Sequence, residues 1–119
     1  MSFGRLGEDK AAQYLTDKKY IVLCRNYRAA GCEIDIIAID GSELVFAEVK
    51  TRSSELFGRP AEAVDIKKQK HLATAAQAYL DTNETTLLPR FDVLEVYMTR
   101  DGKSFRINHI PHAFIRRQE

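Results

Sequence analysis

A single α/β domain, with a mixed five-stranded sheet flanked by helices in the order α-β-β-β-α-β-β, is the fold class this sequence predicts. Three observations carry that expectation. The 119 residues, 45% of them apolar, suffice for one hydrophobic core but not two. Two segments repeat apolar residues with a helical period, and five shorter runs are rich in Ile, Val, Leu, Phe and Tyr. Three of those runs lie between the helices and two follow the second, so one helix can cover each face of the sheet.

Residues 3–18 read as the first helix. Ala11, Ala12 and Leu15 fall on one face with Glu8, which sets a carboxylate on the apolar stripe although Asp9, Lys10 and Gln13 already supply a polar side. Tyr20–Tyr27 reads as the first strand, ended by the polar Arg25-Asn26-Tyr27-Arg28 segment. The second and third strands are Glu33–Ile39 and Glu43–Thr51, and Ser53–Pro60 is a loop punctuated by Gly and Pro. Asp65 N-caps a helix running to about Leu80, with Ile66, Leu72, Ala73, Ala76, Tyr79 and Leu80 facing inward, and Asp81-Thr82-Asn83 stops it. Phe91–Arg100 is a fourth strand, Asp101-Gly102 a hairpin turn and Ser104–Ile110 a fifth. Pro111 limits that strand, and Ala113–Arg117 form a short terminal turn. No repeat or linker interrupts residues 1–119, which read as one domain.

The net charge of +1 neither marks nor excludes a nucleic-acid partner, since a basic face can sit beside an acidic site. Lys67, Lys68 and Lys70, with Arg52 and Arg59, are the candidates for such a face; a solvated helix surface is the simpler account of any one lysine. No apolar run approaches a membrane span, and the N-terminus lacks the regions of a signal peptide. Cys24 and Cys32 are too few for a disulfide framework and read as reduced, buried residues of a cytoplasmic protein.

The chemistry concentrates in the second and third strands. Alternation along a strand puts Glu48 and Lys50 on one face, about 6.6 Å apart. A two-residue turn at Gly41-Ser42 sets Asp35 opposite Glu48, whereas one at Asp40-Gly41, the stronger turn signal, leaves Glu48 as its diagonal neighbour. Both registers gather Asp35, Glu48 and Lys50; a one-residue slip would separate them. Two adjacent carboxylates repel, and a divalent cation resolves that conflict. Oxygen-only ligands favour Mg²⁺ or Mn²⁺, which can polarise a phosphate oxygen, with Lys50 orienting water or offsetting developing charge. The competing expectation is an ordinary Glu48–Lys50 ion pair on a wet sheet face, against which both faces of the third strand are apolar.

Gly7-Glu8 with Tyr14-Leu15, Arg25-Asn26, Glu33-Ile34-Asp35-Ile36-Ile37-Ala38, Phe46-Ala47-Glu48-Val49-Lys50-Thr51-Arg52 and Arg90-Phe91-Asp92-Val93 together resemble the YraN family of small bacterial proteins. That family is similar to the archaeal Holliday junction resolvases of the restriction-endonuclease-like superfamily. The resemblance implies a restriction-endonuclease-like sandwich and a PD-(D/E)xK-type site. In it Asp35, Glu48 and the Val49 carbonyl would ligate metal, Glu8 would assist from the first helix, and Lys50 would be the catalytic lysine. Ile34 stands where the motif's name has proline. Branched or structured DNA is the implied substrate, and a homodimer the implied assembly, because a four-way junction needs two symmetric cuts.

Lesser candidates complete the expectation. Glu33 shares the Asp35 face, as a supporting ligand, a partner of Lys50 or a solvated strand end. Arg52 either binds phosphate or sits at the strand's exposed end, and Lys67, Gln69 and Lys70 either contact nucleic acid or form a solvated helix face, the simpler account. Asp92 reads as a capping or structural hydrogen-bonding residue. His109 and His112 are not read as a zinc pair, because Ile110-Pro111 breaks helical spacing and no Cys or acidic ligand accompanies them. The alternatives to a nuclease are a non-cleaving domain that binds nucleic acid or a partner, and an assembly subunit contacting its partner through residues 53–60 and Arg116-Arg117.

Overall fold

Runs buried on both faces, whose side chains alternate between two helix-covered sides, build the centre of the sheet. The computed structural model describes residues 2–59 and 65–114. Helix α1 (Phe3–Asp17) precedes β1 (Ile21–Ala29), β2 (Cys32–Asp40) and β3 (Glu43–Ser53); α2 (Ile66–Thr82), β4 (Leu88–Met98) and β5 (Phe105–Phe114) follow. The strands lie in chain order, β1-β2-β3-β4-β5. Only β3 and β4 are parallel, because α2 carries the chain between them, and the other pairs are antiparallel. The predicted class and element order are therefore the observed ones.

Each face of the sheet has its own core. Ala11 and Leu15 of α1 bury against Ile36, Ala38, Val45, Ala47, Leu94, Val96 and Met98. On the other face Leu72, Ala75 and Ala76 of α2 cover Ile34, Ile37, Leu44, Phe46 and Phe91. Ile66, expected inside, is 53% exposed, while Ala75, not singled out in the sequence, is fully buried. The helix starts at Ile66 on its Asp65 cap, so the first turn precedes the buried stripe. No helix among the described residues is long and apolar enough to cross a membrane.

Several boundaries differ from expectation for local reasons. Strand β1 continues through Arg25–Arg28, because their backbones pair with β2 up to Ala29↔Cys32 while the polar side chains stay at the sheet's edge. Its Ala30-Gly31 turn has both residues at positive φ (53° and 74°), the twist-matched type I′ arrangement. β3 runs on to Ser53, where a short 3₁₀ turn (Ser54–Leu56) occupies part of the expected loop. α2 reaches Thr82 before Asn83 caps it. β4 starts earlier, at Leu88, and ends at Met98; its connection to β5 is wider than a two-residue hairpin, held by Asp101 Oδ1 accepting from Thr99 Oγ1 (2.7 Å) and the Lys103 N–H (2.9 Å). β5 passes Pro111 instead of stopping there. A register shift lies between Phe91 and Val93, and His112 takes φ 51°, so the residue without an N–H sits at a bulge. Of the expected terminal turn, Ala113 and Phe114 belong to β5, while residues 115–117, including Arg116 and Arg117, and Pro60 lie outside the described residues. Cys24 and Cys32 are half-buried rather than buried, and burial raises the Cys24 thiol pKa.

Close approach of α1 to β3 depends on Gly7. A Cβ there would fall on the Thr51 side chain, 2.9 Å from Thr51 Cβ and nearer still to its Oγ1 and Cγ2. Gly7→Ala should therefore destabilise the fold by about 1–3 kcal/mol through overpacking. Thr51→Ala in the same chain removes the two nearest atoms but not Cβ and should restore part of the loss in a urea melt, and a single variant as stable as wild type would show that the contact yields freely.

Candidate metal-dependent site

Unbroken pairing of β3 with β4 from Glu43 to Ser53 keeps β3 strictly alternating. Phe46 points into the α2 core, whereas Val45 and Ala47 point into the α1 core. Glu48, Lys50 and Arg52 therefore face the α2 side together. In the β2–β3 hairpin Asp40 pairs with Glu43, Ile39 with Leu44 and Ile36 with Ala47, which makes Gly41-Ser42 the turn. The weaker of the two turn signals prevails. Gly41, at φ 58°, takes the first central position, where a type II′ turn places glycine.

One step beyond Ile36, this register would set Asp35 opposite Glu48. The recorded ladder ends there, and the Val49 N–H donates to Asp35 Oδ2 (2.8 Å). Alternation in β2 breaks at the same point, since Ile34 joins the α2 core and Ile36 the α1 core. Asp35 thus sits where the two strands part. Val49 enters the site through its N–H.

Glu48 is only 7% exposed. Its Oε1 pairs with Lys68 Nζ of α2 (3.2 Å), and its buried Oε2 has no hydrogen-bond partner among the described residues. The same-face Glu48–Lys50 ion pair does not form; among the described residues Glu48 pairs with Lys68. Glu8 approaches from α1. With its amide turned to satisfy its neighbours, Asn26 Nδ2 donates to both Glu8 Oε1 (2.9 Å) and Glu33 Oε1 (3.1 Å). Asn26 adopts φ 54°, a conformation asparagine tolerates better than most residues. Glu33 also pairs with Arg28 (3.1 Å), and burial raises the Glu8 carboxyl against the pull of Arg25.

The other predicted residues separate into two groups. Lys67 and Lys70 are exposed and Gln69 half-buried at the start of α2, near Lys68 in sequence. Arg52 is not a solvated strand end: its Nε lies 3.8 Å from Glu95 Oε2. Glu95, on β4 at the register of Lys50, is 1% exposed and accepts from Asn108 Nδ2 (2.9 Å). Val93, Leu94, Val96 and Tyr97 make both faces of the strand apolar around Glu95, a local signal of burial, and the parallel pairing of β4 with β3 places it beside Lys50.

Asp92 and the histidines belong to a separate buried network on the α1 side. Arg90 donates twice to Asp92 (2.9 Å each) and also to Asp40 (2.8 Å), Glu43 (3.1 Å) and the Tyr20 hydroxyl (2.9 Å). His109 Nε2 lies 2.7 Å from Asp92 Oδ2, and His112 donates its N–H to Asp92 Oδ1. The histidines thus do have acidic neighbours, brought by the fold from elsewhere in the chain. Those acids are already engaged by Arg90.

No three His, Cys, Asp or Glu side chains among the described residues are gathered tightly enough to hold a metal ion as they stand. The donor set nevertheless fits Mg²⁺ or Mn²⁺: Mg²⁺ is commonly held by one or two carboxylates plus water and substrate phosphate. Glu48 Oε2 is a buried carboxylate oxygen without a partner. Asp35 shows the same surplus of negative charge. Burial, reinforced by Glu48 and Glu8, pushes its carboxyl up to about 6, although the Val49 N–H acts the other way.

That shift has a definite sign. An unfolded Asp ionises near pH 4, so in the window from there to about pH 6 the folded chain holds a proton the unfolded chain has lost. Folding should weaken as pH rises through that window. Asp35→Asn keeps the acceptor for Val49 and removes the charge. In EDTA it should be about 1–3 kcal/mol more stable than wild type at pH 8 and nearly equal at pH 4. Urea melts at the two pH values check this, and no gain at pH 8 would refute the charge surplus.

The model of the uncharacterised protein family UPF0102 matches residues 7–96. A UPF0102 protein of Caldanaerobacter subterraneus subsp. tengcongensis is 44% identical over 113 residues, covering 93% of each chain. One from Alkaliphilus oremlandii is 47% identical over 114 residues, covering 93% of this chain and 96% of its own. One from Chlorobium limicola is 48% identical over 118 residues, with 95% and 92% covered. The matched span holds Glu8, Asp35, Glu48, Lys50 and Lys68, and it bears out the resemblance read from the sequence. The chain belongs to the UPF0102 family, the YraN proteins.

Proposed function

We propose that this protein is a divalent-metal-dependent nuclease that hydrolyses phosphodiester bonds, with branched or otherwise structured DNA as its substrate. The observation that carries the reading is the meeting of Glu48, half of whose buried carboxylate has no partner, with an Asp35 made basic by burial and by Glu48 itself. Lys50 shares the Glu48 face, with no ion pair to hold its ammonium among the described residues. A bound Mg²⁺ or Mn²⁺ would supply Lewis-acid polarisation of a phosphate oxygen. Asp35 and Glu48 hold it, with Glu8 assisting, and Val49 N–H fixes the Asp35 carboxylate in place. Lys50 orients the attacking water or offsets charge building on the phosphate. Lys67, Gln69 and Lys70 of α2, and Arg52 through its hold on Glu95, lie on the side from which a phosphate backbone reaches the site.

The Lys68–Glu48 ion pair gives Glu48 a counter-charge without any metal, which favours a second reading, a non-cleaving nucleic-acid-binding domain. A cleavage panel separates the two. Single-stranded, duplex, flap and four-way-junction DNA, with RNA counterparts, are incubated with protein and Mg²⁺ or Mn²⁺. Cutting that needs the metal supports the nuclease; binding without cutting of any substrate supports the second reading.

A further inference from the structure

We propose that Lys68 is the built-in counter-ion of the metal-free site, and that a divalent cation is held only when it displaces the Lys68 ammonium from Glu48. This rests on the reading of Glu48 as a metal ligand. Lys68 Nζ stands 3.2 Å from Glu48 Oε1, on one of the two oxygens such an ion would use, while Oε2 stays buried and unpartnered. The lysine does not owe this position to its helix. It is the third residue of α2, whose N-terminus repels a cation, and the local cap is made instead by Asp65 Oδ1 accepting the Lys68 N–H (2.8 Å). The field of Glu48, with Asp35 and Glu33 behind it, holds the ammonium there.

The side chain is also built to leave. The Lys68 side chain is 48% exposed against 10% for the Glu48 side chain, so the flexible stem can swing into solvent without opening the core. Its departure frees Glu48 Oε1 to join Oε2, and carries a positive charge to the mouth of the site as a phosphate arrives. Lys50, on the same strand face as Glu48, makes no such pair among the described residues, so the two lysines divide the work: one neutralises the resting site and the other remains available to the reaction.

The test is calorimetric titration of the intact protein with Mn²⁺, comparing wild type, Lys68→Met and Glu48→Gln, with thermal melts in EDTA and in Mn²⁺. Lys68→Met keeps the stem and removes the charge. It should bind Mn²⁺ roughly fivefold more tightly than wild type, the loss of one partly exposed competing ion pair. It should also melt lower than wild type in EDTA and gain more on adding Mn²⁺. Affinity unchanged or weakened in Lys68→Met, with wild type binding and Glu48→Gln not, overturns the displacement while leaving the metal site intact. Absence of Mn²⁺ binding in wild type, or equal binding in Glu48→Gln, overturns both.

Discussion

Glu48→Gln is expected to remove metal-dependent cleavage while leaving a folded protein. Lewis-acid stabilisation worth several kcal/mol corresponds to a rate loss on the order of a thousandfold or more. Glutamine keeps the size of the side chain, and the unpartnered Oε2 means that little hydrogen bonding is lost on that side. The lost attraction to half-exposed Lys68 should cost at most about 1 kcal/mol. Lys50→Met serves as the partner experiment: it should lower the cleavage rate comparably yet bind Mn²⁺ as wild type does, because Lys50 is assigned to the water and not to the ion. Single-turnover cleavage with Mn²⁺ titration separates the two effects. Glu48→Gln protein that still cuts at the wild-type rate would remove Glu48 from the chemistry.

Much of this site was legible because strand alternation is a short-range rule. Glu48 and Lys50 are two residues apart on one strand, so their shared face needed no tertiary information. Glu8 could be noticed for a similar reason, as a carboxylate on a helical stripe that otherwise reads apolar. The hairpin register was not legible. Asp40-Gly41 is locally the better turn, and what favours Gly41-Ser42 is Arg90, which donates to Asp40 and Glu43 across the hairpin from β4, fifty residues from Asp40 in sequence. Lys68 escaped singling out among its neighbours because the phase of α2 against the sheet decides which of Lys67, Lys68 and Lys70 reaches Glu48. Pro111 misled about β5 because a bulge can absorb a missing N–H, which a strand pattern does not reveal. Asp35 shows both sides: the sequence brought it to Glu48, but the broken alternation and the Val49 N–H that fix its carboxylate emerge only from the fold.

Arg90→Ala should be the most destabilising single change in the chain, by about 3–5 kcal/mol, the cost of breaking a buried charge network from one side. Arg90 is 5% exposed and Asp92 fully buried. Burial alone would raise the Asp92 carboxyl, but hydrogen bonds from His109 and Arg90 outweigh it and hold the pKa low. The stability this contributes is therefore present above the unfolded value near pH 4 and lost as pH falls further. Removing Arg90 leaves that carboxylate with His109 and one backbone N–H, and leaves Asp40 facing Glu43 across the turn as a like-charge pair with only His112 beside Glu43 (3.6 Å) among the described residues. Arg90→Lys keeps the charge but not the two-pronged geometry, and should recover only part of the loss. In Arg90→Ala with Asp92→Asn the deficit should shrink, because the buried anion is gone; a double-mutant cycle by urea unfolding at pH 7 measures that coupling. A loss under about 1 kcal/mol for Arg90→Ala would mean that the network is solvated in solution. The consequence extends to function. Asp35 and Glu48 lie about 17 Å along the hairpin from that turn, and the register that brings β2 and β3 together as far as Ile36 and Ala47 begins where Asp40 pairs with Glu43. If the proposed site holds Mn²⁺, Arg90→Ala should accordingly weaken its binding even under conditions where the variant remains folded.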